Sequence, residues 1–87
     1  MNIISHRTFD KDYRRRTAKE SQWFRERTVL FIENQFDSLL DNHALTGEWE
    51  GYRSINISGN LRAIFKPLEE DAVIFVRFGT HAELYGK

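Results

Sequence analysis

The stretch HALTGEWEGYRSINISGNLRAIFKPLEEDAVIFVRFGTHAELY, residues His43 to Tyr85, decides the reading of the chain. Three short apolar or alternating runs are separated by turn residues, and each holds one arginine: Arg53, Arg62 and Arg77. From Tyr52 to Ile57, the residues Arg53, Ile55 and Ile57 alternate with Tyr52, Ser54 and Asn56, the period of a strand with one apolar side. Ser58-Gly59-Asn60 is a tight-turn signal, and Leu61 to Lys66 follows as the second strand of a hairpin. Pro67 is expected to stop that strand, because it has no N–H to give to a ladder. Glu69-Glu70-Asp71 reads as an exposed acidic turn. Ala72 to Phe78 is apolar almost throughout apart from Arg77, which predicts a central strand buried on both faces. Gly79-Thr80 turns the chain, and Glu83 to Tyr85 reads as a last short edge.

Working back from this block, the sequence becomes helical. Asn2 to Ser5 predicts a short strand carrying Ile3 and Ile4. Thr8 reads as a helix N-cap with Asp10 and Asp12 in the first turn, where carboxylates suit the positive helix end. Phe9 and Tyr13 begin an apolar stripe, and Ser21 reads as the cap of a second helix. In it Phe24, Phe31 or Ile32, Gln35 or Phe36, and Leu39 recur at near-helical spacing. One uncapped helix of about 30 residues is long for so small a domain. A break near Lys19 to Ser21 and an αα-hairpin are therefore expected. Asp41-Asn42 ends the pattern, and the segment to Gly51 reads as a loop whose Trp49 ring closes the bottom of the core. The expected fold is α+β: one domain, residues 1–87, with a small, mostly antiparallel sheet of three to five strands packed on one face by the αα-hairpin.

Composition narrows the function. With 40% apolar, 30% charged and 14% aromatic residues, the chain is a folded domain and not a disordered one. The absence of cysteine excludes disulfides and thiolate metal sites, and three scattered histidines make no metal-ligand pattern. No metal and no cofactor are expected. No leader-like or membrane-spanning apolar run is present, so a cytoplasmic protein without a membrane partner is the expectation. The net charge is zero, against a dedicated nucleic-acid binder, yet it is unevenly spread. Residues 1–30 hold eight Lys/Arg against four Asp/Glu, whereas residues 31–50 hold five acids and no base. Arg14-Arg15-Arg16, the densest basic run, reads as a solvated helix face.

A charged side chain on a core-like strand is destabilising unless it is paired or opens onto a cleft. Arg62 and Arg77 sit on neighbouring strands in such a setting. Directed to the same uncovered face, they would clamp a phosphodiester through bidentate bonds and stabilise charge building up at phosphorus. The alternative is that they pair with Glu69, Asp71 or Glu83 on the surface. His81, just past the last strand, suits proton transfer to or from a 2′-hydroxyl or a 5′-oxygen, and His43 is a second group for the same work. Tyr52 and Tyr85 would stack on bases or donate a hydroxyl to phosphate.

The segment H-x-L-x-G-x-W-x-G-Y-R (His43 to Arg53), then L-R-A-I-F (Leu61 to Phe65) and V-R-F-G-T-H-A-E-L-Y (Val76 to Tyr85), resembles the RelE/ParE toxin superfamily. The likeness is to its YafQ-like branch in bacterial type II toxin–antitoxin systems. It implies a ribonuclease that cuts messenger RNA in the ribosomal A site by metal-independent attack of the neighbouring 2′-hydroxyl, silenced by a cognate antitoxin. His43 and His81 match histidines used in catalysis by that branch, Tyr85 matches an aromatic site residue, and Arg62 lies near a catalytic arginine position. Arg77 matches a last-strand arginine. Arg53, Asn56, Asn60 and Tyr52 are expected to contact phosphate or RNA. Two departures are visible: Asn56 replaces a family histidine, and Asn60-Leu61 replaces an acidic–tryptophan pair. Asparagine hydrogen-bonds but exchanges no proton near neutral pH. The competing readings are a ParE-like gyrase inhibitor, or an inactive homologue that still binds an antitoxin.

Overall fold

The computed structural model describes residues 1–86. In chain order it contains β1 (Asn2–Ser5), α1 (Arg7–Arg14), α2 (Ala18–Glu33), β2 (His43–Ala44), β3 (Arg53–Ser58), β4 (Leu61–Leu68), β5 (Ala72–Thr80) and α3 (His81–Tyr85). The strands form one sheet in the order β1-β5-β4-β3-β2. β1 runs parallel to β5, and every other pair is antiparallel. The expected α+β architecture is therefore present, with β4 as the middle strand and β5 beside it.

The apolar sides of the strands face α1 and α2. Ile55, Ile57, Ala63, Phe65, Phe75 and Phe78 pack with Phe9, Phe24, Phe31 and Leu40 into one core. Phe24 lies at its centre, with ring centroids 5.0 Å from Phe9, 5.2 Å from Phe78 and 5.4 Å from Phe75. Burying each such ring contributes about 1.5–3 kcal/mol, so the aromatic layer is the main apolar stabilisation. A bulge helps to assemble it. Ile64 faces Arg77 and Phe65 faces Phe75, so β5 carries one extra residue, and Phe75 and Phe78 both reach the helix side although three positions apart.

Several local boundaries differ from expectation. Thr17, not Ser21, caps α2: its hydroxyl accepts from the Glu20 N–H, and the Glu20 carboxylate accepts from the Thr17 N–H. This reciprocal box stops the hairpin break one turn earlier and places Ser21 inside the helix, buried. His6 caps α1, and Thr8 instead donates its hydroxyl to the Val76 carbonyl at 2.6 Å. α2 ends at Glu33, leaving Phe36 and Leu39 outside it and exposed. β4 runs through Pro67 to Leu68. Its pairing with β3 ends at Phe65, so one edge is open beyond that point and a missing N–H there breaks no ladder. His43–Ala44, expected as loop, pairs with β3 as a short edge strand.

β1 reaches only as far as Phe75 along β5, which leaves the outer edge of Val76 to Phe78 without a strand. α1 covers it. The His6 amide donates to the Phe75 carbonyl, Thr8 bonds Val76, and the Asp12 carboxylate accepts the Phe78 N–H at 3.0 Å and the Arg77 Nε–H at 2.7 Å. Asp12 is buried, so both donors depend on it. We expect Asp12→Ala to leave a buried amide and a guanidinium unpaired and to lower stability by about 2–3 kcal/mol. The check is urea denaturation, with Lys11→Ala at the exposed neighbouring position of α1 as the near-neutral comparison.

Candidate active site

The face of the sheet away from α1 and α2 is polar along β3 and is partly covered by α3. β5 continues two residues beyond Phe78, through the expected Gly79-Thr80 turn, to Thr80, whose hydroxyl accepts from the Glu83 N–H while Glu83 Oε1 accepts from the Thr80 N–H at 2.7 Å. This capping box makes residues 81–85 a helix, not the edge strand expected from the sequence. Thr-x-x-Glu followed by Gly86 was its sequence signature. The His81 N–H donates to the Asn60 carbonyl at 2.9 Å, tying the start of α3 to the β3–β4 turn.

Gly79 lies beneath this helix. A Cβ there would stand 3.0 Å from Glu83 Oε1 and 3.5 Å from Leu84, so any larger residue would press on the carboxylate that caps α3. Arg16 completes the attachment. Its two terminal nitrogens each reach one Glu83 oxygen at 3.0 Å, a bidentate pair between residues from opposite ends of the chain. The Arg16 side chain is 12% exposed. It is thus a clasp and not part of a solvated run, while Arg14 and Arg15 are exposed as expected.

α3, the β2 segment and the sheet floor enclose a cleft of about 510 Å³. His43, Arg62, His81 and Tyr85, the four residues expected to carry chemistry, all line it. His81 and Tyr85 are one helical turn apart with ring centroids 4.7 Å from each other. Arg62 donates from one terminal nitrogen to the Gly59 and Leu61 carbonyls, and no carboxylate pairs with it among the described residues. His43 Nδ1 lies 2.7 Å from the Asp41 carbonyl. A carbonyl only accepts, so Nδ1 carries the hydrogen and the neutral ring keeps its lone pair at Nε2. Asp41 adopts the left-handed conformation, φ 44°, that presents this carbonyl, a conformation Asp tolerates better than most residues.

The other expected contacts divide. Asn56 faces the cleft side of β3, opposite Arg62 in register. Asn60 contributes its carbonyl to α3, with its side chain on the exposed turn. Tyr52 packs its ring edge-on to Trp49 at 5.2 Å and does not line the cleft. Trp49 was expected in the core but stands in the cleft wall, half-buried. Arg53 and Arg77 do not join the site. Arg53 lies on the Ile55 side, donates to Asn42 Oδ1 at 2.8 Å and sits 5.5 Å from the Phe36 ring centroid. Arg77 is held by Asp12. Strand alternation placed these arginines, but partners on α1 and the β2 loop claimed them. Ser54, Leu45 and Thr46 line the cleft unanticipated; they carry no distinguishing sequence signal beyond their strand and loop positions.

The Glu83 carboxyl is held down to about 2 by the Thr80 N–H first and by Arg16 second. A carboxylate whose folded pKa is depressed stabilises the fold fully above its ordinary value of 4.5 and loses that contribution as pH falls through about 2. Wild-type stability should therefore fall between pH 4.5 and 2 partly through this group. Glu83→Gln should flatten that part of the curve, read as urea midpoints across the window. An unchanged slope in the variant would show that Glu83 does not hold α3.

Comparison with known proteins places this architecture. A sequence model of the bacterial toxin of type II toxin–antitoxin systems, YafQ, matches residues 1–86. The crystal structure of YafQ from E. coli strain BL21(DE3) is similar at 26% identity, over 98% of both chains, with a TM-score of 0.81. YafQ in the E. coli DinJ–YafQ complex is similar at 27% identity, over 98% of both chains, with a TM-score of 0.74. A YoeB/ParE toxin from Agrobacterium tumefaciens shares the fold at 18% identity, over 93% of this chain and 99% of that one, with a TM-score of 0.76. A search of curated proteins found no significant sequence match.

Proposed function

The chain belongs to the YafQ family of type II toxin–antitoxin toxins, and we propose that it is a ribosome-dependent endoribonuclease that cleaves messenger RNA in the A site. The observation that carries this reading is the convergence of two histidines, an unpaired arginine and a tyrosine on one cleft. His43 takes the 2′-hydroxyl proton at Nε2 as the 2′-oxygen bonds to phosphorus. His81 gives a proton to the 5′-oxygen as the P–O5′ bond breaks, leaving a 2′,3′-cyclic phosphate and a 5′-hydroxyl. Arg62 stabilises the extra charge on the phosphoryl oxygens, and Tyr85, beside His81, supports the nucleotide. No metal or cofactor takes part in this scheme. Asn56 favours the second reading, a toxin homologue inactive in cleavage or acting on gyrase, because it offers no exchangeable proton beside Arg62.

Partners follow from the surface. Arg7, Lys11 and Arg14 on α1 and Arg15 just after it are exposed and, among the described residues, unpaired with any carboxylate. They support contact with ribosomal RNA phosphates despite the zero net charge. Val29, Ile32, Phe36 and Leu39 are exposed apolar side chains in and just after α2, set among Glu33 and Asp37. Such a patch suits an antitoxin segment with apolar residues flanked by bases. A ribosome and a co-expressed antitoxin are both met in the cytoplasm, the location that goes with this reading.

Induction followed by primer extension on translated messages tests the chemistry. Arg62→Ala and His81→Ala should each lower cleavage by about 100-fold or more, while Arg77→Ala should act on stability and leave the cut sites unchanged. Inhibited supercoiling without any cleavage would favour the gyrase reading. For the antitoxin, Phe36→Glu with Leu39→Ser should weaken binding of the co-expressed cognate antitoxin about 30-fold in calorimetry and spare cleavage. Undiminished binding would move that interface elsewhere.

A further inference from the structure

Two buried polar atoms on the cleft side of β3 have no hydrogen-bond partner in the fold: the Ser54 hydroxyl and Asn56 Oδ1. They lie two residues apart on one strand, opposite in facing to the core residues Ile55 and Ile57, and Ser54 lines the cleft. Ser54 is only 1% exposed. Its cross-strand neighbours are His43 on β2 and Ile64 on β4. The His43 Nδ1 hydrogen already goes to the Asp41 carbonyl, and Ile64 offers no polar atom. Asn56 is likewise opposite Arg62, whose guanidinium hydrogen-bonds the Gly59 and Leu61 carbonyls instead. The third such atom, Arg16 Nε, is explained by geometry, since both terminal nitrogens of that arginine are spent on Glu83.

A buried hydroxyl without a partner destabilises a fold, and alanine at that position would relieve the defect. Its place on the floor of the cleft says where the partner comes from. We propose that Ser54 is a substrate-binding residue whose hydroxyl hydrogen-bonds the ribose–phosphate of the RNA strand seated in the cleft. The hydroxyl is covered in the free protein and is reached only when the side chains lining the cleft above it move aside for the strand. Ser54 acts by holding the scissile nucleotide and moves no proton. The inference rests on the ribonuclease reading given above.

The test compares wild type, Ser54→Ala and Ser54→Thr on purified ribosomes carrying a defined message with its scissile codon in the A site. Single-turnover cleavage should fall about 10- to 100-fold in Ser54→Ala and recover in Ser54→Thr, which keeps the hydroxyl. Thermal midpoint should stay level or rise in Ser54→Ala, an outcome that a structural hydrogen bond would not produce. Wild-type cleavage with equal cleavage by Ser54→Ala overturns this inference and leaves the ribonuclease reading standing. A Ser54→Ala protein that melts several degrees lower, or fails to fold, places the hydroxyl's partner inside the protein and also overturns it. A wild-type protein that leaves the message intact overturns both.

Discussion

Glu83 holds the candidate site in place. α3 has five residues, far fewer than a helix needs to persist by itself in water. Its position comes from one carboxylate that caps the helix through Thr80, receives Arg16 from the α1–α2 junction, and rests over Gly79. His81 and Tyr85 ride on that helix, so the geometry of two rings lining the cleft is set by a contact that neither makes. The ion pair is bidentate and its arginine is mostly covered, which separates it from the exposed pairs that contribute little.

The sheet divides its work between two faces. Toward α1 and α2 it presents phenylalanines and isoleucines, and the aromatic layer there supplies the packing energy. Toward the cleft it presents Ser54, Asn56 and Arg62, whose hydrogen-bonding capacity is incompletely used inside the fold. A face kept polar and partly unsatisfied adds little stability, and the opposite face compensates. The same separation explains the arginines. Arg53, Arg62 and Arg77 look alike in sequence, but Asn42 holds the first, Asp12 holds the third, and no carboxylate holds the second. Charge available for a phosphate is decided by which partners fold against each strand.

Solved structures at 26–27% identity share this fold over nearly their whole length, so the fold tolerates replacement of most side chains. What the fold supplies is a floor, a wall and a short helix at fixed positions. In this chain the frame carries Ser54 on the floor, Asn56 beside it on the same side of β3, and a Thr80–Glu83–Arg16 attachment at the helix. Function in this protein therefore depends on the residues placed on that frame.

Alternation in β3, the glycine turn before β4 and the apolar run of β5 made the sheet legible, because period and turn chemistry are local. The motifs around His43, Arg62 and His81 likewise marked the residues that meet in the cleft. Boundaries were less legible where two signals competed: Ser21 against the Thr17–Glu20 box, and a strand-like tail against the Thr80–Glu83 box. Pairings across 65 and 67 positions, Asp12 with Arg77 and Arg16 with Glu83, had no signature at all. Sequence by itself determined the alphabet of elements and the family of the site, since backbone preference and hydrophobic period act over a few residues. Tertiary structure alone decided which arginines were taken, where Trp49 stood and which hydroxyl was left unpartnered, because those outcomes depend on side chains that only folding brings within reach.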